Sequence, residues 1–193
     1  TGITIMQMDR GLDTGDMLYK VSCDIAADDS AASLHDKLVD LGAQAIITVM
    51  QDLKNYQDKA IKQEDKQANY AEKLVKSEGE INWTQPATTI ERQIRGLNPW
   101  PGTYTFFNGQ RVKILASLPV NETQPTTEAA GTVISVGRKA ILIACGKNDD
   151  NNSQASTLRV TQLQFAGSKP ISAEQVCHGN QLDDGDRFTS ENN

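Results

Sequence analysis

Apolar and polar residues alternate in two short stretches at the start of the chain. Residues 3–8 and 17–25 carry apolar, often β-branched side chains at about every second position, which predicts two strands with one face more buried than the other. Between them, residues 9–16 hold three carboxylates and two glycines. This composition predicts a tight loop whose backbone comes close to another group.

A long amphipathic helix is predicted after the second strand. Residues 26–30 offer a helix start with carboxylates near the positive end of the dipole. An apolar stripe then recurs every three or four residues, at Leu34, Leu38, Leu41, Ala45, Val49 and Leu53. We expect this face to pack against a sheet. From residue 54 to 80 polar residues predominate, which predicts an extended linker with Tyr70 and Leu74 held on a surface.

The second half of the chain opens with a short predicted helix. Ile90, Ile94 and Leu97 recur on one helical face, and the helix, capped by Thr88 or Thr89, must end before Pro99. Glu91 is expected to face outward with its basic neighbours. The proline-rich loop at 98–102 is rigid, and we expect it to wedge Trp100 into the core.

The remainder of the chain has the pattern of β-structure interrupted by turns. Strand patterns at 104–107 and 110–118 flank Asn108-Gly109, a signal for a type I′ hairpin, and a second hairpin is predicted across 131–144. A polar loop at 147–155 precedes a last long strand at 157–165. About five short strands of this kind predict a small closed barrel.

The C-terminal end combines one helix signal with an acidic tail. Ser172 and Gln175 have the spacing of a capping box and predict a short helix through Val176. Residues 179–193 are acidic with few apolar positions, which predicts a disordered tail.

Composition bounds the class of protein. A length of 193 residues with 38% hydrophobic residues allows one or two folded domains. The three cysteines, Cys23, Cys145 and Cys177, are far apart and odd in number, which favours inert thiols in a reducing compartment over disulfides or a metal site. No run reaches the roughly 18 apolar residues of a membrane span, so a soluble protein without a membrane partner is expected. The chain starts inside a strand pattern, so the native N-terminus is expected to lie upstream.

Charge is distributed unevenly along the chain. Residues 1–85 carry 9 Lys or Arg against 15 Asp or Glu, residues 86–170 carry 9 against 5, and residues 171–193 carry 1 against 5. The basic excess therefore lies in the predicted β-domain, which suggests a polyanionic partner.

The acidic loop is the first candidate for chemistry. A carboxylate on a glycine-flanked loop between two strands can act as a general base, because the scaffold fixes it while the glycines leave room for a ligand. On spacing alone, a solvated acidic turn is the commoner explanation of such a loop. For Asp16 a structural role, accepting bonds from loop amides, is expected.

Four separated blocks carry a family resemblance. The run GITIMQMDRGLDTGDML at 2–18 resembles the active-site loop of the folate-dependent formyltransferases. Three further blocks resemble the linker and C-terminal domain of the methionyl-tRNA formyltransferases: NYAEKLVKSEGEINW at 69–83, IRGLNPWPGTYT at 94–105 and LQFAGSKPISAEQV at 163–176. The blocks occur in the same order over most of the chain, so the match is specific.

The resemblance implies an activity. It implies transfer of a formyl group from 10-formyltetrahydrofolate, the formyl donor, to the α-amino group of methionyl-initiator tRNA, with folate and tRNA as partners and no metal. Asp13 matches the catalytic aspartate that handles the proton, and the folate side of the loop falls on Asp9, Arg10, Gly11 and Leu12. The family's upstream Asn and His have no counterpart in this sequence, so the chain is expected to be truncated and inactive alone. We expect a monomer in the bacterial cytoplasm, with an organellar origin left open.

The resemblance also implies a fold and its boundaries. The expected α/β architecture is the C-terminal part of a Rossmann-like formyltransferase domain (1–57), a linker (58–85), an OB-like β-barrel that binds tRNA (86–178) and the tail (179–193). Phosphate contacts are expected from basic residues of the linker and barrel, namely Lys73, Lys76, Arg92, Arg95, Lys113, Arg138, Lys139 and Lys169. Taken singly, each of these charges is more often a solvated surface charge than a phosphate contact.

Two other functions stay open. A sugar-nucleotide formyltransferase shares the loop and a related barrel, but its small amine acceptor needs no basic face, and the blocks at 69–83 and 94–105 favour the tRNA enzyme. A non-catalytic RNA-binding barrel with a vestigial half domain is the alternative from another class. Formylation activity would separate it from either enzyme.

Overall fold

A computed structural model of the chain describes residues 1–120, 125–147, 155–179 and 181–190. These residues belong to two compact units, Thr1–Lys73 and Leu74–Asn193. The division falls within the segment predicted as a linker, so most of the expected linker is part of the first unit.

The first unit is built on a β-hairpin. Strands β1 (Gly2–Met6) and β2 (Met17–Ser22) pair antiparallel, with an irregularity in register between Ile5 and Met6. The two predicted strands and the intervening loop are therefore confirmed, although β1 ends two residues earlier than the pattern suggests. The loop closes where the amide of Gln7 donates to the carbonyl of Asp16, at 2.9 Å.

Helix α1 (Ala31–Gln51) lies against this hairpin. Its N-cap is Ser30, which forms a reciprocal capping box with Ser33. Ala45 and Val49 of the predicted apolar stripe are buried. The helix therefore begins where the sequence signal places it, because the cap satisfies amides that the helix leaves unpaired.

The segment after α1 differs from the predicted extended linker. A second helix, α2 (Leu53–Asp58), follows at once, and the chain then returns to the hairpin, where Ile61 and Met17 exchange backbone hydrogen bonds of 2.8 and 2.9 Å. Tyr70 is 80% exposed, so the expectation that it is held on a surface is wrong. The pairing of Ile61 with Met17 could not be predicted from the polar composition of this segment, because backbone groups rather than side chains form it.

In its described residues, the second unit is one antiparallel sheet with two α-helices. Helix α3 (Ala87–Gly96) precedes the strands and α4 (Ala173–Gly179) follows them. The described strands are β3 (Thr103–Phe107), β4 (Gln110–Ser117), β5 (Val133–Val136), β6 (Ile141–Lys147), β7 (Ala155–Phe165) and β8 (Ile171–Ser172). They pair in the order β3-β4-β7-β6-β5, with β8 on β7. The core lies between this sheet and the helices and includes Ile90, Ile94, Ile114, Ile143 and Leu163.

Local turn and cap signals in this unit are confirmed. Asn108 and Gly109 both have positive φ, 50° and 73°, as a type I′ turn between β3 and β4 requires. The amide of Ser172 donates to Oε1 of Gln175 at 2.9 Å, and the amide of Gln175 donates to Oγ of Ser172 at 3.3 Å, which completes the predicted capping box. The polar loop predicted at 147–155 falls mostly on residues outside the described ranges.

Three side-chain expectations in this unit are wrong. Trp100 is 57% exposed, whereas Trp83 fills the core, where its indole N–H donates to Oγ1 of Thr105 at 2.9 Å. Glu91 is buried and paired with Arg95. Helix α3 begins after Pro86 with no side-chain cap, rather than at Thr88 or Thr89. A buried indole N–H needs a hydrogen-bond acceptor, and Thr105 supplies one to Trp83.

The acidic tail is ordered over residues 181–190, which corrects the prediction of disorder there. Leu182 and Phe188 are buried, and the Phe188 ring stacks on Trp83 with ring centroids 5.8 Å apart. The tail backbone bonds on two sides, since Phe106 and Thr189 exchange hydrogen bonds of 3.0 and 2.9 Å and the amide of Phe188 donates to Gly131 at 2.9 Å. Two apolar anchors are enough to hold a short polar segment when its backbone is also paired.

The strand pairing of the described residues supports an α/β protein but not, by itself, the predicted closed OB-like barrel. The order of strands leaves β3 and β5 at opposite edges. In the ranges that the structure describes, no helix has the length and apolar character needed to cross a bilayer.

Candidate active site

The loop between β1 and β2 has a constrained backbone. Asp13 has φ 55°, in the left-handed region that side chains other than glycine rarely adopt. Gly15 is buried where the loop's ends meet, and a Cβ placed on it would lie 1.6 Å from the carbonyl oxygen of Gln7. A Cβ on Gly11 would lie 2.4 Å from Oγ1 of Thr14. The two glycines of the motif therefore let the loop fold back tightly on itself and on the strands.

A glutamine from outside the motif holds this loop. The side-chain amide of Gln63 donates to the carbonyl of Asp13 at 2.9 Å and to the carbonyl of Gly15 at 2.7 Å. This residue was not among the predicted site residues, because a glutamine in a polar stretch gives no signal of a contact 50 residues away. The pairing of Ile61 with Met17 is what brings it there.

Asp13 lines an open cleft of about 630 Å³ within the first unit. The hairpin contributes Leu12, Asp13, Thr14, Met17 and Lys20 to the lining of the cleft, and the segment after α2 contributes residues 63–65 and 67–70. The Asp13 side chain is exposed and, within the described ranges, forms no ion pair. A carboxylate in this position can accept a proton from a molecule bound in the cleft.

The residues predicted to face folate divide into two groups. Leu12 is 84% exposed and lines the cleft. Asp9, Arg10 and Gly11 are exposed but are not among the cleft residues, and the Arg10 amide donates to Oδ1 of Asp9 at 2.7 Å. Asp16 closes the loop through its backbone carbonyl, rather than through its carboxylate as expected.

The predicted phosphate-binding residues lie on several surfaces. Lys73 ends the first unit, and the others belong to the second. Most are exposed: Lys76 in a 3₁₀ turn, Arg92 on α3, Lys113 on β4, Arg138 and Lys139 in the β5–β6 turn, and Lys169 before β8. Arg95 differs, because its Nε lies 3.1 Å from Oε1 of the buried Glu91. The structure therefore leaves seven of the eight cations exposed and engages Arg95 in an ion pair.

Two other ionisable groups have perturbed pKa values for structural reasons. Hydrogen bonds from Lys37, the Ala26 amide and Ser33 lower the pKa of Asp29 from 3.8 to about 2. Burial raises the pKa of the Cys145 thiol to about 12, so this cysteine is inert at neutral pH. The described residues contain no group of three His, Cys, Asp or Glu side chains placed to hold a metal ion.

The chain resembles known proteins along most of its length. The family model described as formyl transferase, C-terminal domain, matches residues 73–181, and the formyl transferase model matches residues 1–50. Methionyl-tRNA formyltransferase of Marinobacter nauticus is 44% identical over 179 residues, 93% of this chain and 54% of the relative. The same protein of Pseudoalteromonas translucida is 41% identical, over 93% and 53%. The chain thus spans about half the length of these relatives.

The fold is also found in solved structures. HypX from Aquifex aeolicus, in complex with tetrahydrofolic acid, has a TM-score of 0.62 at 14% identity, covering 97% of this chain and 33% of HypX. At this identity the likeness concerns the fold alone. The C-terminal-domain model alone accounts for more than half of the 193 residues, and so the chain belongs to the formyl transferase family.

Proposed function

We propose that this chain carries part of the machinery that transfers a formyl group from 10-formyltetrahydrofolate to the α-amino group of methionyl-initiator tRNA. The observation that carries the proposal is that Asp13, which matches the catalytic aspartate in the resemblance, lines an open cleft without an ion-pair partner in the described structure. The names of the relatives at 40–44% identity support the same acceptor.

The role of Asp13 follows from the chemistry of formyl transfer. The amine nitrogen attacks the formyl carbon, and the resulting tetrahedral species carries negative charge on oxygen and a surplus proton on nitrogen. Asp13 accepts that proton and returns it to the leaving folate nitrogen as the carbon–nitrogen bond to folate breaks, so the carboxylate is regenerated. Oxyanion stabilisation requires other donors, and the family's Asn and His have no counterpart in residues 1–193.

The folate donor is proposed to enter the cleft beside Asp13. The cleft's volume, about 630 Å³, lies in the usual range for small-molecule sites. Its lining includes the apolar Leu12 and Met17 and the ring of Tyr70, which suit an aromatic ligand, and polar groups that include Lys20, Glu64 and Asp65. HypX, which has a similar fold, was solved in complex with tetrahydrofolic acid, and this supports a folate ligand for the present chain.

The second unit is proposed to be an OB-like barrel that binds the tRNA. Residues 186–189 bridge the segment before β5 and the edge strand β3, which would close the gap between the sheet's two edges. The exposed cations Arg92, Lys113, Arg138, Lys139 and Lys169 would then contact phosphates. The free thiols Cys23, Cys145 and Cys177 and the bacterial relatives support a reducing bacterial cytoplasm.

Replacing Asp13→Asn tests the catalytic proposal. We expect turnover to fall by about 10²- to 10⁴-fold, the usual contribution of a positioned acid or base. Formylation of methionyl-initiator tRNA is measured with this chain alone and with a fusion to the N-terminal half of the Marinobacter nauticus relative. Asp40→Asn, an exposed carboxylate of α1 in the same unit that does not line the cleft, is the control and should retain activity. Full turnover in Asp13→Asn would remove this residue from the mechanism.

The same assay separates the alternatives. A sugar-nucleotide formyltransferase would formylate a sugar-nucleotide amine in place of the tRNA, and a non-catalytic RNA-binding module would show tRNA binding without formylation of either acceptor in the fusion.

A further inference from the structure

We propose that Gln63 is a positioning residue for Asp13, fixing the backbone of the loop that presents the carboxylate. The inference deepens the proposed function and rests on it, since it assigns a supporting residue to the same site. Gln63 lies in the stretch whose composition predicts a linker, so its role follows only from the contacts that it makes.

The contacts of Gln63 are specific in number and geometry. An amide nitrogen carries two N–H groups, and both have acceptors here, the carbonyls of Asp13 and Gly15 at 2.9 and 2.7 Å. These two carbonyls flank Thr14, so one side chain fixes the loop on both sides of its turn. Gln63 is half-buried and lines the same cleft as the exposed Asp13, and both of its donors bind backbone carbonyls, so the Asp13 carboxylate is not one of its acceptors.

Gln63 is itself fixed to the hairpin. Two residues earlier, Ile61 and Met17 exchange backbone hydrogen bonds of 2.8 and 2.9 Å, and Met17 is the first residue of β2. The loop's other described closure is the bond from the Gln7 amide to the Asp16 carbonyl, at the neck. Asp13 lies beyond this neck, so in the described structure the bond from Gln63 is what holds its carbonyl.

Position matters for the proposed reaction. A general base must lie within hydrogen-bond reach of the proton that it accepts, and a displacement of about 1 Å can lower turnover by about 10²-fold. Asp13 has a left-handed backbone, and without an external restraint the segment can relax to commoner conformations. Gln63 supplies that restraint without touching the reacting atoms.

The test replaces Gln63→Glu, which keeps the size of the side chain and removes both donors. A glutamate at this position would place carboxylate oxygens against the two carbonyl oxygens. The repulsion between them would break both contacts between residue 63 and the loop. We expect the backbone ¹⁵N order parameters of Asp13, Thr14 and Gly15 to fall from about 0.85 to below about 0.6. The matched control is Gln57→Glu on α2, whose amide bonds the exposed side chain of Gln7 at 2.9 Å and no loop carbonyl. It should leave these values unchanged.

Kinetic measurements distinguish a role of Gln63 in positioning Asp13 from a general effect on the stability of the protein. In the fusion assay, Gln63→Glu is expected to lower kcat by about 10- to 100-fold with KM for the tRNA unchanged, since the acceptor contacts remain. Unchanged order parameters in Gln63→Glu, or an equal loss in both variants, overturn the positioning role even if Asp13→Asn abolishes turnover. Full turnover in Asp13→Asn overturns the proposed function whatever the loop does.

Discussion

Gly15 lies where the two ends of the Asp13 loop meet, and its lack of a side chain permits that meeting. Gly15→Ala would bring a Cβ to 1.6 Å from the backbone oxygen of Gln7, which cannot move without disturbing β1. We expect a loss of about 1–3 kcal/mol in the free energy of unfolding of the first unit, measured by urea titration with circular dichroism.

The matched control is Gly42→Ala in α1 of the same unit. A Cβ there would meet the Ile3 side chain at 3.9 Å, an ordinary contact, and the helical backbone suits alanine. We expect this variant to gain about 0.4–1 kcal/mol. Equal effects at the two positions would contradict the steric explanation for Gly15.

Asp29 gives the first unit a defined dependence on acid. Its pKa is lowered to about 2, first by the hydrogen bond from Lys37 at 2.7 Å, then by the Ala26 amide and Ser33. A carboxylate with a lowered pKa in the folded state stabilises fully above its ordinary pKa of 3.8, and this contribution is lost as pH falls towards 2. Asp29→Asn should therefore flatten the decline in urea midpoint between about pH 4 and 2. Asp40→Asn, an exposed carboxylate of α1, should leave the decline intact.

The roles of individual residues could be predicted from the sequence to different degrees. Asp13 could be singled out because glycines and carboxylates concentrate in its loop and match a family motif. Gln63 could not, because its role depends on a contact made by folding. The prediction that Trp100 lies in the core was wrong for the same reason. The sequence does not show which tryptophan is buried, and in the structure it is Trp83, whose indole N–H is hydrogen-bonded to Thr105.

At the scale of elements, the C-terminal segment 181–190 is part of the folded second unit, because its backbone is hydrogen-bonded both to β3 and to the segment before β5. Phe188 is 1% exposed and packs against Trp83 and Phe107, with ring centroids 5.8 Å apart in each case. Phe188→Ala should lower the free energy of unfolding of the second unit by about 3–5 kcal/mol, because it removes a buried ring and leaves a cavity. Both tryptophans lie in this unit, so tryptophan fluorescence reports its unfolding.

Trp100→Ala is the control at the same scale. Its ring is 57% exposed, so we expect a loss of about 1–2 kcal/mol, smaller than that for Phe188→Ala despite the larger side chain. If the tail were disordered, Phe188→Ala would hardly change the free energy of unfolding, and Trp100→Ala would lower it more.

Elements defined by short-range signals were predicted well. The hairpin at Asn108-Gly109, the capping box at Ser172 and the helix after Ser30 each depend on a few neighbouring residues. The ordered tail and the pairing of Ile61 with Met17 were not predicted, because polar composition conceals backbone hydrogen bonds between distant segments.

At the scale of the whole molecule, the charge asymmetry separates an acidic first part from a basic middle. If the second unit binds tRNA through phosphates, affinity should fall steeply between about 50 and 200 mM salt. Replacing Arg138 and Lys139, exposed in the β5–β6 turn, by alanine should reduce the slope of log K against log salt by about 1 for each contact removed. Fluorescence anisotropy with labelled tRNA measures both.

The matched control for this binding experiment is Lys54→Ala on α2. Lys54 belongs to the first unit and pairs with Asp58. Its removal should leave the salt slope unchanged. A slope that stays unchanged when Arg138 and Lys139 are replaced would count against phosphate contacts at the β5–β6 turn.

The sequence by itself determined the strands and helices that local patterns encode, the left-handed turn at Asn108-Gly109, the acidic loop and the family. These depend on side-chain periodicity and backbone preference over a few residues, which the order of amino acids states directly. Only the tertiary structure decided that residues 63–65 and 67–70 line the Asp13 cleft, that Gln63 holds the loop, and that the acidic tail is part of the second unit's core. Hydrogen bonds and packing between segments far apart in sequence arise only when the chain has folded.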